Sequence, residues 1–350
     1  MTAILVVPSL KISGGIGEAL RLLSDISKAD VLVLSMWRSP HPMESPAPIE
    51  HLSCWKPVAA RAPADLIPLF VRFAKWRRQE KKQDKKLSTY IFTHYSTLPL
   101  ALLVPKQNRI FFVQGIEWRF VKNPVVSWLL KRLILASYRS GRIITANQFL
   151  TAQMQDAGLT VASEMPIWAS SIFKMHAREH RDIDYAMVLR KGEVKRLDLY
   201  RDFLAQAFAN KRNVCFITPE DEVAAEFSKF TTNVLLRPSA EQMRDFYARS
   251  RCFIHLSDHE GFGLPPLEAM GAGCVPVCRD SGGIRAFLQA PLSSLIFPKS
   301  LPADQFFAEA EKLLNDAERL NQLSEEVRQA FDIGLASSLK ARGRLINTLT

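Results

Sequence analysis

What this sequence lacks narrows its chemistry first. Cysteine is scarce: Cys54, Cys215, Cys252, Cys274 and Cys278 are odd in number and form no CxxC pair. That argues against a disulfide framework and against a structural zinc site. Cys252, Cys274 and Cys278 lie in apolar, strand-like runs, where a free thiol acts as a small hydrophobe. No stretch reaches the roughly 18 consecutive apolar residues that spanning a bilayer requires. The first apolar run, Ala3–Val7, stops at Pro8 with no basic segment before it. It is too short for a secretory h-region and reads as a buried strand, so a cytoplasmic location is expected. Internal repeats and low-complexity tracts are missing as well. No RRM, KH or helix-turn-helix signature accompanies the basic charge, and no nucleic-acid partner is expected.

The residues present describe a globular α/β chain. A length of 350 residues fits two domains, and 47% hydrophobic with 23% charged residues suits packed cores. Short β-branched runs alternate with helical segments, the pattern of doubly wound sheets. Strands are expected at Ala3–Val7, Val31–Leu34, Tyr90–Thr93, Arg109–Val113 and Gly141–Thr145. A second set is expected at Tyr185–Leu189, Asn213–Ile217, Asn233–Leu236, Cys252–Leu256 and Cys274–Cys278. Residues 157–184 carry no clear period, include Pro166 and suit an interdomain connection. The end of the chain reads as three helices, Ala303–Asn315, Ala317–Ile333 and Leu335–Asn347.

The net charge of +11 implies an anionic partner. Much of the charge is concentrated in two apolar-basic segments, Leu66–Lys86 and Val125–Arg139. Such helices can lie in a headgroup interface, with Trp and Phe inserted and Lys and Arg on the phosphates. The same patterns fit core-packing helices with solvated basic ends.

Residues 252–283 read CFIHLSDHEGFGLPPLEAMGAGCVPVCRDSGG. The layout is strand, loop, helix, strand and turn. Gly261 and Gly263 permit close backbone approach to a ligand. Pro265 and Pro266 suit the first turn of a helix that starts at Leu264. In an open α/β sheet, ligands bind beyond the carboxyl ends of the strands, and a helix N-terminus there offers N–H groups to phosphate. Glu260 precedes that helix and Glu268 lies about one turn inside it. The two carboxylates can therefore meet different parts of one ligand, and hydroxyl groups suit them better than phosphates do.

This string resembles the E-x7-E signature of the family 4 retaining glycosyltransferases, which have the GT-B fold. Glu260 and Glu268 are the matching pair, with Gly261, Phe262, Gly263 and Leu264 between them and Pro276-Val277 and Gly282-Gly283 beyond. The resemblance implies that Glu260 contacts the donor sugar and Glu268 the ribose of a nucleotide-sugar. One departure is Ala286, near the place where the family has an acidic residue. A second match is Arg190, at the end of Met187–Arg190, with Lys195 five residues on. It is similar to the family's Arg…Lys pair on the donor diphosphate, and two fixed cations can stabilise a departing diphosphate without a metal. Arg196 stands where the family has Gly.

The first half matches less closely. Gly14 and Gly15, in Ser13–Gly17, follow the first strand in the place of the family's glycine-rich loop near the donor phosphates. His94, Gln114 and Asn147 follow the strands ending near Thr93, Val113 and Thr145, where ligand contacts would form. The family often has His where Gln114 stands. His94 also fits a satisfied structural histidine. Asp182-Ile183-Asp184 spells DxD, the metal-binding signature of a different glycosyltransferase fold. It leads into a strand without supporting acidic residues and is read as coincidence; no metal is expected.

The expectation is thus α/β, GT-B: two Rossmann-like domains facing a central cleft, 1–165 for the acceptor and 180–335 for the donor. A C-terminal helix, about 335–350, would return to the first domain. The implied partners are a nucleotide-sugar and a glycan or lipid-linked acceptor. Assembly of bacterial surface polysaccharide or lipopolysaccharide on the inner face of the membrane is the implied setting. Alternatives on the same frame are a nucleotide-sugar epimerase, a phosphorylase-like enzyme or a non-catalytic carbohydrate-binding relative.

Overall fold

In the computed structural model the described residues are 2–10, 16–17, 19–20, 30–38, 45, 47–52, 66–83, 88–121, 123–175, 181–231 and 233–349. The chain divides into two compact units, Met1–Ile167 with Lys340–Thr350, and Trp168–Leu339.

The first unit is built on strands β1 (Thr2–Ser9), β2 (Asp30–Trp37), β3 (Ile49–His51), β4 (Thr89–Phe92), β5 (Arg109–Val113), β6 (Arg142–Thr145) and β7 (Ser163–Glu164). They form one sheet in the order β3-β2-β1-β4-β5-β6-β7, with every pair parallel. β4 and β5 are buried along their whole lengths, which is why they read as near-continuous apolar runs and not as alternating ones. The chain walks from β1 out to β3, then returns to the other side of β1 for β4. The loops after β1 and β4 therefore diverge at a topological switch point.

The second unit repeats the plan. Its strands are β8 (Ile183–Val188), β9 (Val214–Thr218), β10 (Val234–Leu236), β11 (Ser250–His255), β12 (Val275–Arg279) and β13 (Ile296–Phe297). Their order is β10-β9-β8-β11-β12-β13, again all parallel. Here the switch point lies between β8 and β11. Phe203 of the helix Leu197–Ala209 packs edge-on against Tyr185 of β8 and Phe307 of the helix Ala303–Asn315, with centroids 5.1 Å apart in both pairs. This aromatic layer covers one face of the sheet.

Two differences from the sequence expectation have clear causes. The short strands β3, β7 and β13 sit at or near sheet edges and have two or three residues each, too few to show a period. The final helix runs unbroken from Ala317 to Leu349 and does not divide near Gly334. A Cβ at Gly334 would stand 2.0 Å from the Trp168 indole, so the glycine makes room for a ring that also bonds Phe331 O at 3.0 Å. Lys340 onward groups with the first unit, where buried Arg342 directs Nε to Pro166 O at 3.5 Å. Cys215, Cys252, Cys274 and Cys278 are free and buried; Cys54 lies outside the described residues.

Candidate functional site

Two loops meet at the β8/β11 switch point. The one after β8 carries Arg190 and Lys195; the one after β11 carries Asp258 and Glu260. Asp258 N–H donates to Val194 O at 2.8 Å. Arg196 Nη1 bonds Asp258 at 3.1 Å, and Arg279 pairs with the same carboxylate. At the centre, Lys195 Nζ donates to Glu260 Oε1 at 2.6 Å. Residues expected to touch the diphosphate and the sugar are thus brought together.

Backbone contacts fix Glu260 from the other side. Its N–H donates to Ser281 O at 3.0 Å, and the residue bridges to Gly282. This approach requires Gly283 to be bare, because a Cβ there would stand 2.6 Å from Gly261 C and Phe262 N. The Glu260 side chain keeps 15% exposure. Burial alone would push its carboxyl up, but Lys195, then His255 and Ser257, take it below the ordinary range. It is a charged group, held by a cation.

Gly263 enters the helix Leu264–Gly271 at φ +94°, in the left-handed region that favours glycine. Leu267 and Met270 anchor the helix in the core, while Pro265 and Pro266 occupy its first turn. Half-buried Glu268 accepts a hydrogen bond from the fully buried Tyr247 hydroxyl at 2.9 Å. Phe262 is turned inward against Phe287 and Trp168, with centroids 5.4 and 6.1 Å away. Its ring is committed to packing, which leaves its backbone as the part that can face a ligand. Leu264 is half-buried at the first helical position.

Arg190 is half-buried on the loop that carries Lys195. Arg196 explains the glycine expected in its place: it stands at φ +52°, a left-handed conformation costly to most side chains. Here the strain is offset by its bonds to Asp198, at 2.7 to 3.1 Å, and to Asp258. Those bonds raise its pKa further, Asp198 contributing most.

In the first unit, His94 follows β4. It accepts Ser96 N–H through Nδ1 at 3.2 Å, stacks on Tyr95 at 4.3 Å and places Nε2 3.8 Å from Glu117. Glu117 accepts the Tyr95 N–H at 2.9 and 3.1 Å. Burial pushes its carboxyl up to about 8, against the pull of that N–H. Gln114, after β5, has a buried amide nitrogen without a hydrogen-bond partner among the described residues. Asn147 is buried and caps the helix Gln148–Asp156 by accepting Leu150 N–H at 2.8 Å. Gly14 and Gly15 lie outside the described residues.

Local sequence does not single out His255 or Tyr247. A histidine inside the apolar run Cys252–Leu256 was the available signal for the first. Tyr247 is 21 positions from Glu268, with no local pattern to join them. Glu117 was visible at the end of β5, but its burial was not.

The DxD carboxylates face other partners. Asp182 pairs with Arg249, and Asp184 accepts the Asn213 N–H at 2.9 Å and lies 3.3 Å from Arg251. Among the described residues no group of three His, Cys, Asp or Glu is placed to hold a metal ion. A cavity of about 650 Å³ opens at the amino ends of the second sheet, lined by Ile183, Cys215, Asn233, Arg244 and Arg249. It lies at the opposite end of the strands from the Lys195–Glu260 pair.

The two apolar-basic helices differ from each other. In Leu66–Gln83, Leu69 and Phe73 are buried, while Phe70 and Trp76 are half-buried. The side chains of Leu66, Ile67, Lys81 and Lys82, and residues Lys85 and Lys86, lie outside the description. In Pro124–Tyr138, by contrast, Val125, Trp128, Leu129 and Leu133 are exposed, and Arg132 lies 4.8 Å over the Trp128 ring. No helix among the described residues is long and apolar enough to cross a membrane.

Residues 219–330 match the family model for glycosyl transferases group 1. The match spans β10 to β13 and includes Glu260 and Glu268. Two curated relatives are matched over short segments, 13% of this chain and 14% or 12% of their own lengths, and a third, putative glycosyltransferase 63 of Sulfolobus islandicus filamentous virus, is 24% identical over 199 residues, 54% of this chain and 66% of its own length. One of the short matches is the GDP-mannose:cellobiosyl-diphosphopolyprenol alpha-mannosyltransferase of Xanthomonas oryzae, 44% identical over 45 residues. Similar solved structures extend over the whole chain. Sucrose-phosphate synthase from Thermosynechococcus elongatus has a TM-score of 0.78 at 12% identity, covering 99% of this chain and 98% of that one. WaaG, a glycosyltransferase involved in lipopolysaccharide biosynthesis, has a TM-score of 0.68 at 12% identity, covering 97% and 100%. The chain therefore has the two-domain, Rossmann-like GT-B fold and carries a glycosyl transferases group 1 segment.

Proposed function

We propose that this chain is a retaining glycosyltransferase of the family 4 type. It would move a sugar from a nucleotide-sugar to a glycan or lipid-linked acceptor in bacterial surface-polysaccharide or lipopolysaccharide assembly. The observation that carries the reading is the Lys195–Glu260 pair, 2.6 Å apart at the β8/β11 switch point beside a helix N-terminus. Lys195 and Arg190 serve the diphosphate, Glu260 the sugar hydroxyls and Glu268 the ribose, with the backbone of Gly261–Leu264 against the donor. Two cations and a helix N-terminus supply the charge that a departing diphosphate needs, so the proposed reaction is metal-independent. In a front-face route the bond from anomeric carbon to phosphate oxygen breaks as the acceptor oxygen attacks, and the departing phosphate takes the acceptor's proton.

From the first unit, His94 is assigned a catalytic role and Gln114 and Asn147 donor contacts; all three follow strand ends, Asn147 acting through the backbone because its side chain caps a helix. The acceptor side rests on different residues. The exposed Val125, Trp128, Leu129 and Leu133, with Lys131 and Arg132, support docking on an anionic inner-leaflet surface. The lipid-diphosphate acceptor named for the Xanthomonas relative and the lipopolysaccharide role named for WaaG favour the same setting.

The test is a thermal-shift screen of nucleotide-sugars, since a donor that binds only the folded state raises its apparent stability. The hit is then assayed for transfer by the wild type and by Glu260→Ala, with and without EDTA. Loss of transfer in the variant and indifference to EDTA are expected. Unchanged turnover in Glu260→Ala would reject the assignment, an inverted anomer in the product NMR would reject retention, and isomerised donor without acceptor would point to an epimerase.

A further inference from the structure

His255 ends β11, is 4% exposed and carries an Nε2 with no hydrogen-bond partner among the described residues. A buried polar atom in that state costs free energy, which a state that gives it a partner recovers. The acceptor nearest to hand is Glu260 Oε1, 3.8 Å from His255 Nε2. That is the same oxygen that Lys195 Nζ holds at 2.6 Å. Ammonium and imidazole thus converge on one carboxylate oxygen, and only the ammonium is bonded.

Resting on the donor reading above, we propose that His255 is the standby partner of Glu260, engaged when a nucleoside diphosphate draws Lys195 away. A diphosphate carries more negative charge than one carboxylate and competes for the Lys195 ammonium. As the ammonium moves toward phosphate, Glu260 loses the bond that keeps its charge stable in a buried place. A carboxylate shift of about 0.8 Å would bring Oε1 from 3.8 Å to about 3.0 Å from Nε2, within hydrogen-bond range. In the Nε2–H tautomer, neutral His255 then donates to Oε1, and Glu260 stays fixed for the sugar while Lys195 serves the phosphates. Burial favours this neutral form, holding the imidazole pKa down to about 4. His255 acts through Glu260 and is therefore a positioning residue.

The experiment uses the full chain with UDP and GDP as probes. Titration calorimetry is run on the wild type, His255→Leu and His255→Gln, whose amide nitrogen can stand near the place of Nε2. Nitrogen-15 NMR of the imidazole follows Nε2 in the wild type. On nucleotide addition a protected Nε2–H signal should appear. His255→Leu should bind the nucleotide about 10-fold more weakly, the loss of one hydrogen bond to a charged group, and His255→Gln should recover most of it. Its ligand-free melting temperature should stay close to wild type, since the bond is absent in that state. If UDP or GDP binds the wild type but His255→Leu binds equally well and Nε2 is unmoved, the hand-off is wrong and the donor reading stands. Weakened binding that His255→Gln fails to restore, with a lowered melting temperature, would make His255 a packing residue only. If neither nucleotide nor any nucleotide-sugar binds the wild type, the donor reading itself fails and this proposal with it.

Discussion

Replacing Glu117 by glutamine should remove a pH dependence from stability. The carboxyl is pushed up to about 8 by burial, from an ordinary value of 4.5. Between those values the folded chain keeps a proton that the unfolded chain has released. The stabilisation linked to that proton is complete below about pH 4.5 and is lost as pH rises through about 8. At ~1.4 kcal/mol per pH unit the full interval amounts to ~5 kcal/mol. Water reaching the 11% of the side chain that stays exposed reduces this to ~3 kcal/mol. Glu117→Gln keeps an oxygen for the Tyr95 N–H and cannot ionise. The variant should match wild type within ~1 kcal/mol at pH 5 and exceed it by ~3 kcal/mol at pH 9. Urea unfolding of both proteins across that range gives the difference, and hydrogen exchange at the Tyr95 amide gives a local reading. His255 works in the opposite direction: its pKa, lowered to about 4 from 6.5, makes stability fall as pH drops through that window. That contribution is common to both proteins and cancels. A difference independent of pH would refute the reasoning and leave Glu117 an ordinary carboxylate.

Three further outcomes follow from the geometry. Tyr247→Phe removes the hydroxyl that holds Glu268 at 2.9 Å; donor KM should rise about 5- to 10-fold with kcat nearly unchanged, the loss of roughly one hydrogen bond. At Arg196, φ +52° makes alanine worse than glycine: in thermal melts Arg196→Ala should lie ~1 kcal/mol below Arg196→Gly. Trp128→Ser with Leu133→Ser should abolish flotation with anionic liposomes at moderate salt while leaving the melting temperature within a few degrees of wild type. Both side chains are more than half exposed.

The parts of the fold that were legible in the sequence are those where burial is complete. β5 and β9 are buried at every position and stood out as apolar runs, and Ala303–Asn315 was visible from its period and copied by the structure residue for residue. The edge strands were too short to show. Gly334 misled because a glycine in a helical pattern has two readings, a break or a close neighbour, and only the position of Trp168 decides between them. At the site, Glu260 and Lys195 could be named from local context, but their bond could not, since it joins loops of different strands. His255 and Tyr247 were invisible for the same reason: their importance lies in what stands 3.8 and 2.9 Å away across the fold. The glycine slot held by Arg196 is a departure legible in the sequence, and its left-handed backbone supplies the reason.

The strand order of the second unit has a consequence for how the protein is made. Lys195 and Glu260 are 65 positions apart, and between them the chain lays down β9 and β10 on one flank before crossing to β11 on the other. Neither partner can meet the other until β11 docks beside β8, a closure over a long loop of the kind that slows folding. A nascent or refolding chain thus has no paired cation and carboxylate until that docking is complete. Nucleotide retention would therefore report the maturation of the second unit, separating finished molecules from compact but unfinished ones in a refolding mixture.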